Sequence, residues 1–239
     1  LVGEVIRRID GRSVGTYFSE EIAKPLGIDF KIGVDESDLS RCADTLMLDD
    51  KSTLSVLKLI SYVPDVLLSK SLRGIKGAVK SGDYSIAFAA RGLDGGDEVN
   101  SAEWRLAEVP AANGHGTAAS LAKLYGVMAN GGERDNFKLL TPTTIEHISS
   151  VHSKGPDAVL FGLPYHFGLG YMVNSPLTPI GSKPRMFGHT GVGGEVTFGD
   201  LDNNLGFSFL NNRQHSLNNL YKTANDLSKA LYKILMQGL

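Results

Sequence analysis

The densest chemical signal in the sequence is the segment Phe-Gly-His-Thr-Gly-Val-Gly-Gly, from Phe187 to Gly194. Glycines at the end of a strand allow the backbone to approach a ligand closely. The imidazole of His189 and the hydroxyl of Thr190 are therefore candidate ligand contacts. The alternative is a tight entry into a strand with an exposed histidine.

A second candidate is His115, which stands between two glycines in a loop that precedes a helix with Thr117 as its predicted cap. Such a loop either lines a cleft or forms a turn with a solvated histidine. The other histidines that we considered lack the spacing of metal ligands and are expected at the surface or in the core: His147, His152, His166 and His215. No metal site is predicted. Glu195 is expected on an exposed strand face.

An antiparallel sheet is predicted to position His189, because hydrophobic residues alternate with period two after residue 155. Strands are predicted over 167–173, 195–198 and 205–210. Turn-prone residues, 200–204, join the last two strands as a hairpin. A final helix carries an apolar stripe from Leu217 to Leu235, which is wide enough to cover one face of the sheet.

The first part of the chain shows helical spacing instead. Helices are predicted near residues 1–10, 14–24, 52–63, 117–130 and 142–150, and the range 64–116 is predicted to be irregular. Ser13 is a predicted cap and Gly11 a predicted stop. Helices followed by an antiparallel sheet indicate an α+β fold. We divide the chain into a mostly helical region, 1–154, and a sheet with its C-terminal helix, 155–239.

Composition excludes several classes of protein. The chain has 239 residues, 42% of them hydrophobic and 21% charged, which is a globular mix rather than a disordered, collagenous or coiled-coil one. The net charge of −2 argues against non-specific nucleic-acid binding. No apolar run is long enough for a transmembrane helix. The single cysteine, Cys42, excludes an internal disulfide and a cysteine-based zinc site. No cofactor is predicted.

His189-Thr190-Gly191 resembles the third motif, Lys-Thr-Gly, of the serine β-lactamase and penicillin-binding-protein superfamily. The form with histidine resembles the branch that contains class C β-lactamases, family VIII carboxylesterases and animal β-lactamase-like proteins. Three other segments resemble this branch in the same order: Gly11 to Gly27, Asn113 to Gly126, and Phe167 to Tyr171. The resemblance implies a β-lactamase/transpeptidase-like fold, with an antiparallel sheet and packed helices beside a mostly helical region.

The same resemblance exposes a gap in the catalytic machinery. The superfamily's nucleophile lies in a Ser-x-x-Lys motif, followed by Tyr-x-Asn or Tyr-x-Ser, because a serine hydroxyl needs an adjacent base. The pairs Ser55–Lys58 and Ser120–Lys123 match the first pattern, but neither is at the family's position. Tyr-x-Asn does not occur, and Tyr17-Phe18-Ser19 lies within a predicted helix. The chain therefore resembles the C-terminal portion of such a hydrolase, as expected for a chain that starts inside a helical pattern.

The resemblance also implies roles for individual residues. His189 would replace the family's lysine as a catalytic residue beside the substrate's anionic group, and Thr190 could offer its hydroxyl to that group. Gly191 would border the substrate, and the N–H of Val192 would help to form an oxyanion hole. His115 would line the cleft. Because an ordinary imidazole is mostly neutral at pH 7, whereas lysine is charged, we predict a preference for neutral esters or peptide-like amides over β-lactams.

The function implied by the resemblance is acyl transfer on a small ester or amide by a serine hydrolase of which this chain is a portion. The isolated chain is expected to be inactive, because the nucleophile motifs are absent. The alternative is a non-catalytic scaffold or binding protein with the same fold, and a third is an unrelated binding domain with an accidental glycine motif. Without the family's first strands, one sheet edge would be exposed, which opens a route to self-association.

Overall fold

The computed structural model describes residues 1–46, 59–82, 97–157, 159–160, 163–175, 185–216 and 219–237. The helices in these ranges are α1 (Val2–Asp10), α2 (Val14–Phe18), α3 (Lys24–Leu26), α4 (Lys70–Ser81), α5 (Ala102–Leu106), α6 (Ala118–Ala129), α7 (Pro142–Ser149) and α8 (Lys222–Met236). A π-helical turn, Ser19–Ala23, joins α2 to α3. Short 3-10 helices lie at Glu36–Arg41, Asp65–Leu67 and Asp97–Asn100.

The strands in the same ranges are β1 (Phe30–Ile32), β2 (Gly114–Gly116), β3 (Glu133–Arg134), β4 (Phe137–Lys138), β5 (Ser153–Pro156), β6 (Pro164–Phe167), β7 (Met172–Val173), β8 (Met186–Thr190), β9 (Val196–Asp200) and β10 (Leu205–Phe209). The last six form an antiparallel sheet in the order β10-β9-β8-β7-β6-β5. β1 pairs with β2, and β3 with β4, in two small antiparallel sheets.

The large sheet has helices on both faces, and each face has its own hydrophobic core. On one face, Val173 and Phe187 pack with residues of α6 and α7, namely Met128, Ile145 and Ile148. On the other face, the sheet residues Met172, Met186, Val196 and Phe198 pack with Ala224 and Tyr232 of α8. Neighbouring residues of a strand point to opposite faces, so β8 contributes to both cores.

The end of β9 is tied to α8 by a buried carboxylate. Asp200 is fully buried, and its Oδ1 accepts the N–H of Asp202 at 2.9 Å. Its Oδ2 accepts the Tyr232 hydroxyl at 2.6 Å and Nδ2 of Asn203 at 2.7 Å. The predicted hairpin between β9 and β10 is therefore present, and its turn is anchored to the C-terminal helix.

The local capping signals are confirmed. Ser13 Oγ accepts the N–H of Thr16 at 3.2 Å at the start of α2, and Thr117 Oγ1 accepts the N–H of Ser120 at the same distance at the start of α6. Gly11 ends α1 in the left-handed region, with φ of 90°. These side chains satisfy backbone groups that have no partner within a helix, which is why the signals can be recognised locally.

The strand predicted over 167–173 is wrong, because this segment is a hairpin. β6 ends at Phe167, β7 begins at Met172, and these two residues pair with each other. The N–H of Gly168 donates to the carbonyl of Tyr171 at 2.8 Å, and Gly170 has φ of 79°. Alternating glycines suit a tight turn as well as a strand, and the period alone does not separate the two.

Two helical predictions also differ from the structure. The range 64–116, predicted to be irregular, contains the twelve residues of α4. The C-terminal helix begins at Lys222, after the first part of the predicted stripe, and Leu217 lies outside the described residues. Its buried residues are Ala224, Ser228 and Tyr232, whereas Leu227, Ile234 and Leu235 of the stripe are exposed. Of the predicted helix at 52–63, residues 52–58 lie outside the described ranges.

β10 lies at one edge of the large sheet, and no described strand pairs with its outer side. No helix within the described ranges is long and apolar enough to cross a lipid bilayer. The division of the chain after residue 154 stays a prediction.

Candidate functional site

His189 lies exposed near the end of β8, directly opposite Thr197 of β9. Its Nδ1 is 2.8 Å from the carbonyl oxygen of Thr190. A carbonyl oxygen can only accept, so Nδ1–H is the donor, and in the neutral ring Nε2 carries the lone pair. No group in the described part of the chain pairs with Nε2. His189 therefore presents a free acceptor to solvent or to a ligand.

The side chain of Thr190 leaves β8 on the opposite face and is buried. Its hydroxyl donates to Sδ of Met172 at 3.6 Å and forms a hydrogen bond with the side chain of Tyr221. Burial raises the pKa of Tyr221, and the hydrogen bond with Thr190 opposes that increase. Thr190 thus connects the end of β8 to the residue before α8.

A tight turn, Gly191 to Gly194, connects β8 to β9. The N–H of Gly191 donates to the carbonyl of Glu195 at 2.8 Å, and the N–H of Gly194 donates to the carbonyl of Gly191 at 3.2 Å. Val192 is 69% exposed, and no acceptor among the described residues pairs with its N–H. A fixed and unpaired N–H at an exposed turn can stabilise a developing oxyanion.

The segment that leads to α8 supports this turn. The N–H of His215 donates to the carbonyl of Gly193 at 3.0 Å, and Nδ2 of Asn211 donates to the same oxygen at 3.1 Å. A cavity of about 600 Å³ lies along the segment and is lined by Arg213, His215 and the first residues of α8. The segment that lines this cavity is therefore the same one that supports the turn.

Glu195 is a further residue that lies at the candidate site. It was expected on an exposed strand face, but it is half-buried and its carboxylate lies against the turn. Its Oε2 accepts the N–H of Gly193 at 3.0 Å. A Cβ at Gly191 or at Gly193 would overlap the carboxylate. These two glycines are the signal in the sequence, because residues without side chains leave room for the carboxylate.

His115 lies on β2, where it pairs with Lys31 of β1. It is half-buried, and its Nδ1–H donates to the carbonyl of Asn113 at 2.8 Å. Burial lowers the pKa of His115, while the hydrogen bond to Asn113 opposes this effect. No hydrogen bond or ring contact of the described residues joins His115 to His189. Its place in a cleft stays a prediction.

The structure gives Ser120 and Lys123 local partners. Ser120 is buried, its Oγ accepts the N–H of Asp29 at 2.9 Å, and it also hydrogen bonds with Thr117. Lys123 Nζ donates to the carbonyl of Leu26 at 2.5 Å. Both side chains thus hold α6 against the end of α3. The pair Ser55–Lys58 lies outside the described residues.

Tyr17, Phe18 and Ser19 lie in a continuous helical segment, as predicted. The guanidinium of Arg12 stands 5.0 Å from the centre of the Tyr17 ring, and Phe18 packs edge-on against Phe30.

In the parts of the chain that the structure describes, no group of three or more His, Cys, Asp or Glu side chains is arranged to hold a metal ion.

The family model described as Beta-lactamase matches residues 1–231 of the chain. The Esterase/beta-lactamase LipL of Mycobacterium tuberculosis is 31% identical over 216 residues, which are 89% of this chain and 46% of that protein. A putative D-alanyl-D-alanine carboxypeptidase of Salmonella gallinarum is 35% identical over 101 residues, 40% of this chain and 21% of that protein.

Solved structures give the same picture. A penicillin-binding protein homolog from Caulobacter crescentus has a TM-score of 0.67 and 32% identity, and the match covers 89% of this chain and 50% of that one. A family VIII carboxylesterase has a TM-score of 0.69 and 28% identity, with 90% and 50% covered. EstA from Arthrobacter nitroguajacolicus has a TM-score of 0.69 and 26% identity, with 96% and 57% covered. The chain thus spans about half the length of these structures, and the predicted resemblance and fold are confirmed.

Proposed function

This chain belongs to the Beta-lactamase family, and on that premise we propose that it forms one side of the active site of a serine hydrolase. The proposed reaction is acyl transfer from a small ester or amide to water. The observation that carries the proposal is the end of β8 together with the turn that follows it, where the free Nε2 of His189 and the unpaired N–H of Val192 belong to two exposed residues three positions apart. The names of LipL and of the family VIII carboxylesterase support an ester as substrate.

The residues at the end of β8 and in the turn have distinct proposed roles. The N–H of Val192 donates to the carbonyl oxygen of the substrate as that oxygen gains charge, and one such donor typically lowers the barrier by about 3–4 kcal/mol. Nε2 of His189 accepts a proton or a hydrogen bond at the reacting centre, which a charged lysine cannot do. Gly191 borders the substrate. The sequence predicts that Thr190 offers its hydroxyl to the substrate, but this buried hydroxyl donates to Sδ of Met172, and we propose instead that Thr190 positions the strand end. His115 is proposed to line the same cleft.

We propose that the serine nucleophile and its base are not among the 239 residues of this chain. Ser120 and Lys123 are engaged in structural hydrogen bonds, which supports this view. The isolated chain is then inactive. Because His189 stands where the family's third motif has a lysine, the complete site is expected to prefer neutral esters or amides to β-lactams.

The test compares the natural protein with the isolated 239-residue chain. The substrates are p-nitrophenyl butyrate and a chromogenic cephalosporin. The natural protein is expected to hydrolyse the ester faster, and the isolated chain neither substrate. His189→Ala should reduce kcat for the ester about 100-fold or more, the usual loss for a proton-transferring group. His147→Ala, at an exposed position on α7, is the matched control. Rapid cephalosporin turnover without ester turnover would contradict the proposal.

The second candidate function is a non-catalytic scaffold or binding protein. The observation that favours it is the structural use of Ser120 and Lys123, which leaves this pair without a catalytic role. The intact mass of the polypeptide in its source organism separates the two functions. A mass well above 25.6 kDa supports the hydrolase, whereas a mass near 25.6 kDa favours the scaffold.

Self-association through β10 is part of the proposal. The outer side of this strand has no described partner, and the exposed Leu227, Ile234 and Leu235 of α8 add apolar surface. Light scattering after size exclusion, over a dilution series of the isolated chain, is expected to show concentration-dependent dimers or larger species. A monomer at every concentration would contradict this part.

A further inference from the structure

The carboxylate of Glu195 is a negative charge placed inside the turn that carries Val192. Its Oε2 accepts the N–H of Gly193 at 3.0 Å, and its two oxygens occupy the space where side chains at positions 191 and 193 would lie. Val192 stands between these two positions. No described lysine, arginine or histidine forms an ion pair with Glu195, so the charge is not neutralised by a neighbouring side chain.

Two cationic residues line the adjoining segment, and neither forms an ion pair with Glu195. Lys222, which lines the adjoining cavity, pairs with Asp226 at 2.5 Å. Arg213 lines the same cavity and is exposed. Tyr221 lies just before α8. Burial raises its pKa most, the hydrogen bond with Thr190 opposes this increase, and the charge of Glu195 adds to it.

We propose that Glu195 is a specificity-determining residue that selects against substrates with an anionic group close to the scissile carbonyl. The inference rests on the proposed function, because it concerns the substrate of that same site. A carbonyl bound at the Val192 N–H would bring a nearby carboxylate within several ångströms of the Glu195 carboxylate. Two like charges at about 6 Å, in partly solvated surroundings, reduce binding roughly tenfold. A neutral substrate of the same shape meets no such repulsion.

The test uses two isosteric esters and one conservative variant of the natural protein. Mono(4-nitrophenyl) succinate carries a carboxylate near the scissile carbonyl, and 4-nitrophenyl levulinate carries a methyl ketone in its place. Glu195→Gln removes the charge and keeps an oxygen that can accept the N–H of Gly193. Glu133→Gln, at an exposed position on β3, is the matched control for the change of net charge.

We expect Glu195→Gln to raise the kcat/KM ratio of succinate to levulinate ester about tenfold, while the value for the levulinate ester changes less than about threefold. In the unaltered protein, added salt should raise the same ratio, because it screens the repulsion. Glu133→Gln should leave the ratio unchanged. An unchanged ratio in Glu195→Gln, or an equal fall for both esters, would overturn the inference and leave Glu195 a purely structural residue.

Failure of the proposed function can be told apart from failure of this inference. If the natural protein hydrolyses neither ester, the proposed function fails. The two corresponding 4-nitroanilides then report on Glu195 through their dissociation constants alone. Tighter binding of the succinate anilide to Glu195→Gln than to the unaltered protein would support the inference. Equal binding of both anilides by both proteins would overturn it.

Discussion

Removal of the Tyr232 hydroxyl is expected to destabilise the protein by about 2 kcal/mol. The hydroxyl donates to Oδ2 of Asp200 at 2.6 Å, and both residues are buried. Burial, together with the Asp200 carboxylate, raises the pKa of Tyr232, so the hydroxyl stays protonated and remains a donor. This hydrogen bond ties α8 to the end of β9, and therefore to the sheet that positions His189.

The expected loss of stability depends on the contacts that remain in Tyr232→Phe. Hydrogen bonds to charged groups contribute roughly 1.5–3 kcal/mol to stability. In Tyr232→Phe the ring still stacks on Phe198, with centroids 6.4 Å apart, so no large cavity forms. Asp200 keeps Nδ2 of Asn203 at 2.7 Å and two backbone N–H groups, so its carboxylate is not left without partners. The expected loss is therefore near the middle of that range.

The assay is urea unfolding followed by circular dichroism, with the free energy extrapolated to water. Tyr165→Phe is the matched control, because Tyr165 is half-buried and its hydroxyl makes no hydrogen bond with the described residues. The control should change stability by less than about 0.5 kcal/mol. A loss below about 0.5 kcal/mol for Tyr232→Phe would refute the reasoning, because the buried hydrogen bond would then contribute nothing.

Three further predictions concern the strand end, the second histidine and a helix cap. Gly188→Ala should cost at least about 2 kcal/mol in urea unfolding, because its Cβ would overlap a carbonyl across the sheet, whereas the control Gly77→Ala in α4 meets open space and should not destabilise. Burial lowers the pKa of His115 in the folded state, so the unfolded state binds a proton at a higher pH than the folded state does. The free energy of unfolding therefore falls as the pH drops below about 6.5. His115→Gln should flatten this pH dependence in unfolding curves recorded from about pH 7 to 5. Thr117→Ala should cost about 1 kcal/mol by the same measurement, because it removes the cap of α6.

The features that the sequence predicts well depend on a few adjacent residues. Ser13 and Thr117 cap helices with their own hydroxyls, and Gly11 ends a helix by its own backbone conformation. The hairpin between β9 and β10 follows from turn residues between two alternating runs. In each case the partner groups lie within about one helical turn or one hairpin, so no distant part of the chain is needed.

The wrong predictions have the same cause. In each segment the local sequence pattern is compatible with two different secondary structures. Phe167 to Val173 has the alternation of a strand, but the carbonyl of Ile148 leaves no room for a side chain at Gly168, and the chain turns back. The sequence pattern does not predict α4, although Leu72, Ile75 and Val79 are spaced along one helical face. Glycines at positions 74 and 77 weaken that helical pattern.

The sequence by itself determined the fold class, the family resemblance and the position of the third motif, because these depend on residue types at fixed spacing. The tertiary structure decided how the side chains of the motif are arranged. It placed His189 and Thr190 on opposite faces of β8, and bent the carboxylate of Glu195 under the glycine turn. Such contacts depend on where neighbouring strands and α8 place their atoms in space, and no spacing along the chain encodes those distances.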